Sequence, residues 1–287
     1  MGKQRKNAGL LGFLLFALIA NGQHAPAAVG FPKNGSLVIA GGGALPKEGM
    51  RTFIELAGGK DAPLVIPTAA GLKEYDDSWQ KILTKHGATN VTVLHTDNPK
   101  EANTKKFTKA ISKASGVWFT GGRQWRLADS YLGTKTEAAL LDVLSRGGVI
   151  GGSSAGATIQ GSYLARGDSK TNQIMMGDHE EGFGFLNNVA IDQHVLARNR
   201  QFDLFSILEK KPGLLGIGID ESTAIIVKGG TFEVMGRSYV LMYDGNFWSK
   251  EGSDYKIPLK KNGKSFYFLR AGNRYDLKTR TVIGVGK

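Results

Sequence analysis

Residues 148–158 read GVIGGSSAGAT. The apolar pair Val149 and Ile150 runs into two glycines, two serines, an alanine and a further glycine, where a buried strand should end. Within it, Gly152-Ser153-Ser154-Ala155-Gly156 fits G-x-S-x-G. In a strand-to-helix elbow a nucleophilic serine sits in strained backbone, and small neighbours let adjoining segments approach closely. On that reading the glycines and Ala155 leave room, and Ser154 is what they expose. The competing reading is a tight glycine turn whose serine caps a helix. The partners of the serine must decide.

Short apolar runs alternate with helix-like segments on both sides of this stretch. SLVIAGG (36–42), APLVIPTA (62–69), NVTVLHT (90–96), GVWFTGG (116–122) and GGVIGGS (147–153) read as buried strands. KEGMRTFIELAG, YDDSWQKILTKHG, EANTKKFTKAISKA and TKTEAALLDVLSR between them carry helical spacing. The pattern predicts an α/β fold with a mostly parallel sheet flanked by helices. Residues 213–245 and 264–286 predict a β-rich C-terminal extension of hairpins rather than a second domain. Sites in such sheets gather at C-terminal strand ends, where AGGG, TGG and GGSSAG all lie.

The chain has 287 residues, 41 % of them hydrophobic and 22 % charged, an ordinary globular balance long enough for a sizeable core. Lys3, Arg5 and Lys6 precede the apolar stretch AGLLGFLLFALIA (8–20), and Ala25-Pro26-Ala27 fits an A-x-A cleavage site. Residues 1–27 therefore read as a signal peptide and 28–287 as a single domain, secreted or periplasmic, with no stable membrane association after cleavage. Retention as an uncleaved anchor is the lesser alternative. The chain lacks cysteine, which removes disulfide and thiolate chemistry. Formal charge is +12, but the basic residues are scattered and not interleaved with aromatics, so nucleic acid is not an expected partner. Homodimerisation is left open.

A nucleophilic serine needs a base. His24 lies in the export segment, His86 at a helix end, His179 in a loop, and His95 at a strand end without surrounding chemistry. His194, in VAIDQHVLARNR (189–200), sits where a strand meets polar and basic residues and is the candidate base. A helix predicted to begin near Arg198, burying Phe202, Phe205 and Leu208, puts Arg198 and Arg200 where the macrodipole disfavours cations. Such placement suits a ligand carboxylate, with a surface salt bridge to Asp203 or Asp192 as the alternative. The acid that orients the base is Asp220 or Glu221 at the end of GIGIDESTAIIV (216–227), or Asp168. AGGGALP (40–46) is not a dinucleotide fingerprint. No Walker lysine motif or HExxH occurs, and no metal or cofactor is expected.

TGGRQWRL (120–127), GGSSAGA (151–157), GDSKTN (167–172), IDQHVLARNR (191–200) and GIGIDESTAIIV together resemble peptidase family S51 over roughly residues 36–228. Within that family the resemblance is closer to the cyanophycinases than to the aspartyl dipeptidases. It implies a class I glutamine-amidotransferase-like fold and a Ser-His-Glu arrangement of Ser154, His194 and Glu221. It also implies a substrate pocket shaped by Gln124, Asn172, Asp192, Gln193, Arg198 and Arg200. The expected reaction is acyl transfer on a peptide or cyanophycin-like polymer, without a cofactor, the oxyanion received by backbone N–H groups of Ala155 and the Gly121-Gly122 loop. Asp203 stands where the cyanophycinases carry a further arginine, and Arg123 where an acidic or amide residue is common. An α/β-hydrolase esterase and a non-catalytic binding protein are the competing readings. The former expects the order Ser, acid, His.

Overall fold

The structure, a computed structural model, describes residues 27–68, 78–246 and 264–284. Of the expected export segment, residues 1–27, all but Ala27 lie outside them. Among the described residues, no helix is long and apolar enough to cross a membrane.

In chain order the strands are β1 (Ser36–Ala40), β2 (Leu64–Thr68), β3 (Val91–His95), β4 (Gly116–Phe119), β5 (Val149–Ser153), β6 (Gly161–Tyr163) and β7 (Leu186–Gln193). They continue as β8 (Leu215–Ile219), β9 (Thr223–Lys228), β10 (Thr231–Gly236), β11 (Val240–Tyr243), β12 (Tyr267–Leu269), β13 (Arg274–Asp276) and β14 (Thr281–Gly284). A larger sheet has the order β14-β13-β10-β9-β1-β5-β4-β2-β3 and a smaller one β12-β11-β8-β7-β6.

The expected mostly parallel sheet is in fact mixed. The run β1-β5-β4-β2-β3 is parallel, whereas β9, β10, β13 and β14 add to its other side in antiparallel fashion. Between β9 and β10 the reason is local: the turn Gly229-Gly230, both residues at positive φ, reverses the chain directly and leaves no room for a crossover helix. A second difference concerns GLLGIGI, expected to open a hairpin. It forms β8, parallel to β7, because the helix Phe205–Lys210 supplies a crossover before it.

The period-two alternation of the parallel strands sorts side chains into two cores. Leu37, Ile39, Val65, Val117, Phe119 and Ile150 face one way, where they meet the helix Lys135–Ser145 and residues Ile191, Ile217 and Ile219 of the smaller sheet. Val38, Leu64, Ile66, Trp118 and Val149 face the other way, against Met50, Phe53 and Ile54 of the helix Lys47–Leu56. The two sheets therefore share a core. Their parallel strands bring the C-terminal ends of β1, β4, β5, β7 and β8 to the residues discussed next.

Candidate active site

The small residues after Ile150 have separate steric reasons. A Cβ on Gly151 would lie 2.4 Å from the Trp118 ring, and one on Gly152 would lie 2.2 Å from the Gly156 carbonyl oxygen. One on Gly156 would meet the Phe119 carbonyl oxygen at 2.3 Å. The chain thus doubles back on itself and against β4 with no space for side chains. Ser154 stands at the apex with φ 58° and ψ −113°, backbone that L-residues rarely adopt. Its N–H donates to the Ala40 carbonyl at 3.1 Å, and its own carbonyl accepts from Ala157 and Thr158 of the short helix Ala155–Thr158. This is the strained elbow, not a serine N-cap, since Ser154 makes no side-chain capping bond.

The Ser154 hydroxyl lies 2.9 Å from Nε2 of His194, and Nδ1 of the same ring lies 2.6 Å from Oε1 of Glu221. A carboxylate only accepts, so Nδ1–H donates to Glu221 and the Nε2 lone pair faces the serine hydroxyl. His194 is 5 % exposed. Burial pushes the imidazole below its ordinary value, and Arg198 and Arg200 add to this against the opposing hydrogen bond and charge of Glu221. The ring is neutral at pH 7 and able to take a proton.

His194 also has a left-handed backbone, φ 55°, and its N–H donates to the Gly41 carbonyl at 3.0 Å. Gly41 N–H reaches the Thr223 carbonyl, and Ser222 N–H reaches that of Gly42. The end of β1 and the glycine run after it therefore join the serine elbow, the histidine and the turn that carries the acid. A Cβ on Gly42 would fall 2.2 Å from His194 Cε1, and one on Gly43 would fall 2.7 Å from Glu221 Oε2. AGGG, not a dinucleotide fingerprint, serves instead as a close backbone approach to the histidine and the acid. Its signal was the run of glycines at a catalytic strand end.

The three candidate acids separate cleanly. Asp220 accepts from the N–H groups of Leu196 and Ala197 and from the Ser238 hydroxyl, so it holds the turn after His194 without touching the ring. Asp168 accepts from Lys170 and Thr171 N–H groups in its own loop. Only Glu221 of the three is bonded to the histidine. Beside the elbow, a Cβ on Gly121 would lie 3.4 Å from Ser154 Cβ, and Gly122 follows with φ 133°, so the loop after β4 passes over the serine.

The expected pocket residues are also placed. Gln124 is buried and donates to the carbonyls of Ala165 and Arg166. The Asn172 carbonyl accepts from Arg166. Arg200 is buried against the carbonyl and side-chain oxygen of Gln193, while Arg198 is exposed. The helix expected from Arg198 instead begins at Phe205, and Phe202 is 63 % exposed rather than buried. Asn199 at φ 55° interrupts the segment, so helical spacing alone misplaced its start. Asp192 and Asp203 do not pair with Arg198 or Arg200; both bind Arg166, which sequence reasoning passed over.

The other described histidines lie elsewhere. His86 bonds the Ile82 carbonyl, His95 the Thr68 hydroxyl, and His179 sits between Asp129 and Asp178. Among the described residues no three side chains of metal-ligand type come together.

A serine, histidine and acid at the C-terminal strand ends of an α/β sheet define the class, a serine peptidase, and the chain belongs to peptidase family S51, whose model matches residues 37–235. Among the proteins it resembles, the cyanophycinase of Geminocystis herdmanii is 32 % identical over 81 % of this chain and 89 % of its own length. The cyanophycinase of Trichormus variabilis is 30 % identical over 88 % of each. The crystal structure of a peptidase from an acI-B1 Actinobacterium superposes with a TM-score of 0.63 at 25 % identity, covering 86 % of this chain and 98 % of that one.

Proposed function

We propose that this chain is an exported serine exopeptidase that hydrolyses cyanophycin, a poly-aspartate carrying arginine on its β-carboxyls, to β-Asp-Arg dipeptides. The observation that carries the reaction is the relay from Ser154 Oγ to His194 Nε2 and from Nδ1 to Glu221. His194 takes the hydroxyl proton as Ser154 attacks the carbonyl. Backbone N–H groups of Ala155 and the Gly121-Gly122 loop receive the oxyanion. The imidazolium then protonates the departing amine, and water releases the acyl-enzyme by the reverse relay. Glu221 keeps the productive tautomer in place throughout.

The substrate class rests on the cyanophycinases among the relatives and on the charge beside the base. Arg198 and Arg200 suit an aspartyl carboxylate. Asp192 and Asp203 are engaged by Arg166, which argues against either of them receiving the substrate guanidinium. The fold we assign is class I glutamine-amidotransferase-like with a β-rich C-terminal extension, residues 28–287 forming one domain. Export rests on the composition of residues 1–27.

Purified protein incubated with cyanophycin should release β-Asp-Arg, detected by mass spectrometry, and a fluorophosphonate should label Ser154. Labelling with cleavage of α-aspartyl dipeptides in place of cyanophycin would identify an aspartyl dipeptidase. Absence of labelling would identify a binding protein on this scaffold.

A further inference from the structure

Arg166 is fully buried, a costly place for a guanidinium unless it is well paired. Its Nε and Nη2 fork onto the two oxygens of Asp192 at 2.8 and 2.9 Å. Nη2 also donates to Asp203 at 2.6 Å, and Nη1 to the Asn172 carbonyl at 3.0 Å. The backbone takes part as well: its carbonyl accepts from Gln124, and its N–H donates to the Met175 carbonyl. Asp192 passes the connection on, because Oδ1 also accepts from the Gln193 N–H, and Gln193 holds Arg200.

Of the six expected pocket residues, Gln124, Asn172, Asp192, Gln193 and Arg200 are therefore joined to Arg166 directly or through one or two neighbours. None of its hydrogen bonds goes to Ser154, His194 or Glu221, which are anchored separately by the glycine run and the Asp220 turn. We infer that Arg166 is a positioning residue for substrate: it locks the loop at 167–175, the end of β7 and the turn at 199–204 into one wall of the pocket. The inference rests on the proposed function, in which that wall meets substrate. Asp192 is buried against Arg166 and Asp203 is bonded to it, so the guanidinium answers the charge of both carboxylates.

Two variants test it. Arg166→Lys keeps the charge and loses the fork, while Asp203→Asn removes one limb at a residue whose side chain is 38 % exposed. KM for cyanophycin should rise about tenfold in the first, the scale of one charge-assisted hydrogen bond, and about threefold in the second. kcat and the rate of fluorophosphonate labelling should stay within about twofold, because the relay is untouched. Amide hydrogen exchange should quicken in 167–175 and 199–204 but not in 149–158. Unchanged KM in both variants, labelling that falls in step with kcat/KM, or a uniform rise in exchange would overturn the assignment. If Arg166→Lys does not fold, Asp203→Asn decides alone. If wild-type protein is labelled yet ignores cyanophycin, the substrate reading fails by itself, and the exchange pattern still decides whether Arg166 ties the wall together.

Discussion

Gly42→Ala should disable the enzyme although no reacting atom is removed. The added Cβ would stand 2.2 Å from Cε1, 2.6 Å from Nε2 and 2.7 Å from Nδ1 of His194. Carbon contacts settle near 3.5–4.0 Å, so the ring must retreat by roughly 1 Å or more. A displacement of about 1 Å costs on the order of 10²-fold in rate, and here it acts on a ring held at both nitrogens. The new residue would also occupy φ 117°, adding roughly 1–3 kcal/mol of backbone strain. We expect kcat/KM to fall at least about 10²-fold, with a loss of stability of the size of the strain. Gly59→Ala is the matched control: its φ is 100°, but nothing lies within 4 Å of its Cβ. It should lose stability and keep its activity. Steady-state hydrolysis and thermal unfolding of the two variants decide the matter. Gly42→Ala with more than a tenth of wild-type kcat/KM would show that His194 is not held against the glycine run.

Ser154→Ala should lower kcat by about 10⁴ or more while substrate binding persists; retention of a tenth of the activity would move the nucleophile to Ser153 or remove the covalent step. Glu221→Gln should be far more damaging than Asp168→Asn, since only Glu221 is bonded to His194, and the reverse order in kcat would refute the relay. The base works as neutral imidazole and its pKa is lowered, so kcat/KM should be complete near pH 7 and lost as pH falls through a value below 6.5; Arg198→Gln, by removing a nearby cation, should move that acid limb upward. Arg198→Lys keeps the charge but loses the planar fork and should weaken kcat/KM by about 1–3 kcal/mol, whereas no change would remove Arg198 from the pocket. N-terminal sequencing of exported protein should find a start shortly after Ala27, and an intact Met1 on membranes would make the segment an anchor.

Local information in the sequence carried the reading a long way. Continuous apolar runs such as Leu37–Ala40 and Gly116–Phe119 identify buried strands because side chains on both faces of the strand must enter a core. The elbow at Ser154 is legible because only small residues tolerate such close backbone approach, and that constraint is imposed within a few residues. His194 stood out as a polar group at a strand end. Local reasoning failed where two distant segments compete for one partner. The Ser154–His194 and His194–Glu221 bonds span 40 and 27 residues, and neither spacing has a periodicity to read. Asp220 and Glu221 are neighbours in sequence, yet the strand end turns one toward a loop backbone and the other toward the imidazole. Helical spacing after Arg198 ignored a left-handed Asn199, and a hairpin-like β8 proved parallel because a crossover helix precedes it. Arg166 carries no local signal in the sequence, and only tertiary packing encloses it with two carboxylates. What the sequence determined was which short segments would be strands, helices and elbow, since those preferences arise from neighbouring residues. Which charges meet, which glycines face the histidine and which acid orients it were decided only when β1, β5, β7 and β8 brought their ends together.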